Sequence, residues 1–299
     1  MLKIDNIVKR YGRTEVLHGI SFCVHLGEIV GFVGPNGAGK TTTLKIATGL
    51  IRPDSGTVSI NGFDIAKETV QALSCATAMI EGPSLFQDLT GKDHMDFVAN
   101  LRKVSKAQVD KCLEIADLGV WLKRPVRKYS LGMKQRLGLA LCLLPQPKLL
   151  LLDEPTNGLD PNAMLELREM LLHLRAVDNT AILFSSHMLS EVEKIADRVV
   201  CIRKGELVDS SSLQMPVKYA LDVDDPRAAM EVLSRAAAHA AVELGQGGHI
   251  RITPSGDSLN AIFAALIQNG ISIRDIKSES DDLESQYRDL YLRRDTETR

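Results

Sequence analysis

The chain has 299 residues, 44% of them apolar and 4% aromatic, enough to bury the core of one large domain or two modest ones. With 36 basic against 38 acidic residues its formal charge is −2, which excludes a strongly basic nucleic-acid binder, and no nucleic-acid partner is expected. The longest apolar stretches, around 138–144 and 149–152, fall far short of the roughly 18 residues that span a bilayer.

The opening residues, MLKIDNIVKRYG, place no apolar run after their positive charges, which predicts no secretory signal and a cytoplasmic location. Cys23, Cys75, Cys112, Cys142 and Cys201 are odd in number, widely spread and never in a C-x-x-C pair, so reduced thiols are expected. Residues 29–33 read as a short apolar strand, followed by a glycine-rich loop and a helix over 42–48 that stops before Gly49. From about 83 to 145 the pattern turns helical, with helices predicted at 92–103 and 106–116 and a third beginning near Ser130, which reads as a helical subdomain inserted into an α/β core. Apolar strands return at 149–152 and 181–185; near-continuous apolar strands between helices predict a parallel sheet covered on both faces.

After Lys204 the motifs stop, and 210–216 (SSSLQMP) reads as a linker. Beyond it the pattern predicts strand 217–223, helix 226–240, strands 242–244 and 249–253, helix 256–269 and strand 271–278. That β-α-β-β-α-β order is the ferredoxin-like arrangement. A last amphipathic helix over 283–292 carries Leu283, Tyr287, Leu290 and Tyr291 on one face. The predicted domains are therefore 1–210 and a small α+β accessory domain over 217–299.

Gly34-Pro35-Asn36-Gly37-Ala38-Gly39-Lys40-Thr41 matches G-x-x-x-x-G-K-S/T between a strand and a helix. Glycines let successive N–H groups curl around an oxyanion, and the helix N-terminus adds partial positive charge. Lys40 is placed to reach the β- and γ-phosphates, and the Thr41 hydroxyl to ligate Mg²⁺. These eight residues with Thr42 are the expected nucleotide cradle. The run Leu149–Leu152 ends in Asp153 and Glu154, a buried strand delivering two carboxylates to a sheet edge. Asp153 is expected to hold Mg²⁺, directly or through water, and Glu154 to polarise the attacking water.

Further motifs follow in order. Ser130-Leu-Gly-Met-Lys-Gln-Arg136, Pro155-Thr-Asn-Gly-Leu-Asp160 and Ser185-Ser-His187, with Tyr11 near the start, complete a set that resembles the ATP-binding subunit of an ABC transporter over the first two thirds of the chain. The resemblance implies a P-loop NTPase core with an inserted helical subdomain. It implies that Tyr11 stacks on adenine and that Ser130 and Gly132 of the signature segment present N–H groups to a γ-phosphate of the opposite subunit. Asp160 then belongs to the D-loop, and His187 contacts the γ-phosphate while holding Glu154 and the water in line. ATP and Mg²⁺ are the implied cofactors, and two nucleotide-binding subunits, alike or different, are expected to sandwich two ATP molecules head to tail.

Two positions depart from the family pattern. Leu131 replaces the first of two signature glycines, which reduces backbone freedom there. Counting back from Leu89-Thr90, the usual Q-loop glutamine falls on Glu81, in Ile80-Glu-Gly-Pro83. A glutamate keeps the acceptor for Mg²⁺ or water and adds a charge, so Glu81 is expected to act as a metal or transmission residue beside the catalytic Glu154 and His187. This glutamate and the S-L-G-M-K-Q-R-L form resemble the subgroup that confers bacitracin resistance or lantibiotic immunity.

The resemblance further implies a separate integral membrane permease, with the helical subdomain and the Glu81 loop receiving its cytoplasmic helices, and a peripheral position on the inner face of the membrane. Export of another drug or an ion is the alternative. A soluble ABC ATPase acting in translation or DNA repair usually has two nucleotide domains or a coiled-coil insertion, which this chain lacks. A GTPase would carry an N-K-x-D motif, also absent. The cluster Lys123, Arg124, Arg127 and Lys128 reads as a solvated charge run rather than a lipid contact.

Overall fold

A computed structural model of the protein describes residues 1–208, 218–236, 240–244, 249–254 and 258–279. The chain divides into two compact units, Met1–Val208 and Asp209–Arg299. The linker 210–216 and the helix expected at 283–292 lie outside the described residues.

The first unit opens on a hairpin, β1 (Leu2–Tyr11) and β2 (Thr14–Val24), then runs through β3 (Ile29–Val33) into helix α1 (Lys40–Ala47). β4 (Ser55–Ile60), β5 (Phe63–Asp64), α2 (Thr69–Leu73) and β6 (Ala76–Met79) lead into three helices, α3 (Gly91–Arg102), α4 (Lys106–Ala116) and α5 (Leu131–Leu143). The chain returns through β7 (Leu149–Leu152), α6 (Pro161–Asp178), β8 (Ala181–Ser186), α7 (Leu189–Val192), β9 (Arg198–Arg203) and β10 (Glu206–Val208).

Two sheets result. An antiparallel one has the order β2-β1-β4-β5, and a larger one has the order β10-β9-β3-β8-β7-β6, parallel except for the β9–β10 pair. Every residue of β3, β7 and β8 is buried, as strands covered on both faces must be. One core joins the sheets: Leu2, Ile4 and Ile20 from the antiparallel layer, Leu44 and Ile46 from α1, and Phe32 and Leu151 from the parallel layer. Gly31 sits mid-strand in β3 because a Cβ there would stand 1.9 Å from Val192 Cγ1 of α7.

The helices start where local chemistry directs them. Thr90 and Asp93 form a reciprocal capping box on α3, while Ser105, Ser130 and Asp160 accept from backbone N–H groups at the starts of α4, α5 and α6. Gln108 of α4 donates to Leu143 O, tying α4 to the end of α5. All five cysteines are unpaired, and burial pushes the Cys142 and Cys201 thiols up to about 12. No helix among the described residues is long and apolar enough to cross a membrane.

The second unit contains β11 (Lys218–Val223), α8 (Pro226–Ala236), β12 (Ala240–Leu244), β13 (Ile250–Pro254), α9 (Ser258–Gln268) and β14 (Ile273–Glu279). Its sheet is antiparallel with the order β12-β13-β11-β14, the ferredoxin-like order, over a core that includes Leu221, Leu233, Ile252 and Leu266. One boundary differs from expectation: Ala240, read as the end of a helix, lies in β12 opposite Pro254. Pairing with β13 overrides the helix preference of an alanine-rich run.

Candidate functional site

The site lies at the C-terminal edge of the parallel sheet, where β3, β7 and β8 end together. After β3 the loop 34–39 carries left-handed glycines at Gly37 (φ +79°) and Gly39 (φ +111°). A Cβ at Gly34 would stand 2.4 Å from Ile202 O, and one at Gly39 2.5 Å from Leu17 Cδ2, so space as well as backbone angle demands glycine. α1 begins at Lys40, and no side chain caps its N-terminus. A glycine loop wrapped ahead of an uncapped helix start is an anion cradle.

Lys40 is buried. Its Nζ donates to Gly34 O at 2.6 Å and Pro35 O at 3.1 Å, and lies 3.1 Å from Glu154 Oε1. Thr41 Oγ1 donates to Asp153 Oδ2 at 2.8 Å. The other Asp153 oxygen, Oδ1, accepts from Ser185 Oγ at 2.7 Å, and Ser185 Oγ in turn accepts from the Glu154 N–H at 3.0 Å. Glu154 takes a left-handed backbone (φ +48°), costly for a non-glycine residue, and this bond helps hold it. His187 Nδ1 lies 2.7 Å from Glu154 Oε2. Cradle, hydroxyl, two carboxylates and imidazole thus form one connected network drawn from α1, β7 and β8.

Ser185 is the member that sequence reasoning missed. It stood in the Ser185-Ser-His187 motif, but its bridging role depends on β8 lying beside β7. Ser185→Ala takes a partner from the part-buried Glu154 N–H and from a buried Asp153 oxygen together, a loss of about 1–3 kcal/mol. The expected result is a melting temperature lower by several degrees together with slower ATP turnover. Unchanged values for both in thermal unfolding and phosphate-release assays would remove the bridge from the site.

The remaining expected residues group elsewhere. Glu81 (φ +58°), followed by Gly82 (φ +88°), leaves β6 in a left-handed turn, and its Oε1 lies 2.7 Å from Lys45 Nζ of α1. Its carboxylate is held in that ion pair, and among the described residues no three His, Cys, Asp or Glu side chains gather to hold a metal. Thr41 and Asp153 do fit one: a hydroxyl and a carboxylate in contact are the hard oxygen donors that Mg²⁺ takes alongside water and phosphate.

Ser130 and Asp160 spend their side chains as helix caps, accepting from Met133 N at 3.2 Å and Ala163 N at 2.9 Å. Gly132 packs against Ala163 and Leu159, and a Cβ on Gly158 would meet Leu131 Cδ2 at 2.7 Å, so the signature segment and the loop before α6 form one surface. Tyr11 is half exposed, with Lys9 Nζ 5.5 Å from its ring centroid. Of the basic cluster, Arg127 is paired with Asp88.

Fold and loop define a P-loop nucleotide-binding protein. The family model for ABC transporters matches residues 17–157. A bacitracin transport ATP-binding protein of Enterococcus faecalis, BcrA, is 37% identical, covering 97% of this chain and 96% of its own. A lantibiotic transport ATP-binding protein of Streptococcus pyogenes, SrtF, is 41% identical over 70% of this chain and 89% of its own. The solved structure of an ATP-binding subunit of an ABC transporter superimposes with a TM-score of 0.64 at 32% identity, covering 69% of this chain and 88% of that one. The chain belongs to the ATP-binding proteins of ABC transporters, and it resembles the bacitracin and lantibiotic subgroup within them.

Proposed function

We propose that the chain hydrolyses ATP to drive export of a peptide antibiotic of the bacitracin or lantibiotic type through a separate membrane permease. The observation that carries the chemistry is the network Lys40–Glu154–His187 with Thr41–Asp153–Ser185 at the mouth of the phosphate loop. Support for the substrate class comes from likeness to BcrA along almost the whole chain, accessory unit included.

In this reading the N–H groups of 34–42 cradle the phosphates, and Lys40 exchanges its loop carbonyls for phosphate oxygens. Thr41 and Asp153 would hold Mg²⁺, which supplies charge neutralisation between the β- and γ-phosphates. Glu154 orients the attacking water and accepts its proton, and His187 fixes the Glu154 carboxylate from the other side. Ser130 and Gly132 serve the nucleotide of a second subunit, Asp160 shapes the loop between the two, and Tyr11 offers a ring face to the adenine.

A mostly apolar cleft of about 500 Å³, lined by Thr48, Met79, Pro83, Gly138 and Cys142 among others, opens between β6, the Glu81 loop and α5. In this reading the cleft offers a seat for a permease segment, because one wall is the loop that carries Glu81. Tagged full-length protein is expected to co-purify with an integral membrane protein, and deletion of the gene to raise susceptibility to bacitracin or a lantibiotic. Co-sedimentation with ribosomes or DNA and no change in susceptibility would overturn the proposal.

A further inference from the structure

Glu81 places a carboxylate next to the helix that opens the phosphate cradle. Left alone, a negative charge there repels the polyanion that the cradle is built to hold. The side chain facing it is Lys45, one helical turn beyond Thr41 and therefore on the same side of α1. Lys45 Nζ donates to Glu81 Oε1 at 2.7 Å, and that hydrogen bond raises the lysine's pKa above its ordinary value. The pair also joins distant segments, 36 positions apart, and the Ile80, Gly82 and Pro83 neighbours of Glu81 line the apolar cleft.

We propose that Lys45 is a positioning residue that acts through Glu81: the ion pair fixes and neutralises this carboxylate so that the cradle accepts the phosphates of ATP. The inference rests on the ATP-binding reading above. Glu81 is well exposed and Lys45 less so, and exposed pairs are weak, so the effect is modest.

The test is a double-mutant cycle on the full-length chain, with a fluorescent ATP analogue and Mg²⁺ as the probe and the melting temperature as control. Lys45→Met is expected to weaken binding about 2- to 5-fold when Glu81 is present, and by less than about 1.5-fold in the Glu81→Gln background. Lys45→Arg, which keeps the charge, is expected to restore most of the lost affinity, with melting temperatures unchanged across the set. Equal losses in both backgrounds, or no loss in either, would overturn the pairing. A wild-type chain that binds no analogue would overturn the ATP-binding reading itself and this inference with it.

Discussion

Glu154→Gln is expected to bind ATP at least as tightly as the wild type while losing about 10²- to 10⁴-fold in turnover, the share one positioned base typically supplies. That corresponds to about 3–5 kcal/mol of activation free energy. Glutamine keeps the shape of the side chain and one acceptor oxygen but removes basicity and one negative charge. Its backbone remains held by the Ser185 hydroxyl, so the site keeps its form. Binding is expected to hold or tighten because one carboxylate fewer faces the phosphates, and Lys40, 3.1 Å from the glutamate in the wild type, becomes fully available to them. The variant should therefore accumulate with nucleotide in place. Size-exclusion chromatography with ATP is expected to shift it to a dimer, with single-turnover phosphate release measuring the loss. Wild-type turnover in this variant would rule out Glu154 as the base.

The site was legible in the sequence where chemistry fixes spacing. A backbone cradle demands Gly34, Gly37 and Gly39 ahead of Lys40, and a fully buried strand that ends in Asp153-Glu154 can deliver carboxylates only at its edge. What escaped depends on neighbours in space. The Lys45–Glu81 pair requires α1 to lie beside the turn after β6, and the Ser185 bridge requires β8 beside β7.

The fold shows the same division. β3, β7 and β8 are short, apolar and buried throughout, and their predicted bounds hold to within a residue. The antiparallel sheet went unread because β1 loses register with β2 between Ile4 and Ile7, between Ile7 and Val8, and between Lys9 and Arg10, with Asn6 at φ +50°. Bulges of this kind break the period of two on which strand reading depends.

Lys40→Met is expected to weaken nucleotide binding by about 10- to 100-fold, the loss of a charged hydrogen bond to phosphate. Methionine preserves the apolar stem that packs in this buried position and removes only the ammonium. The damage has two parts. Phosphate loses its cation, and Glu154 loses the counter-charge that Lys40 provides, so a carboxylate then stands opposite the incoming polyanion without compensation. The second part predicts a sign. In Lys40→Met combined with Glu154→Gln, nucleotide affinity should recover part of what Lys40→Met loses, although turnover stays abolished. Titration with a fluorescent ATP analogue measures both effects. Affinity within about twofold of wild type for Lys40→Met would remove the lysine from the phosphate site. A double variant no tighter than Lys40→Met would show that the Lys40–Glu154 contact carries no electrostatic weight in binding.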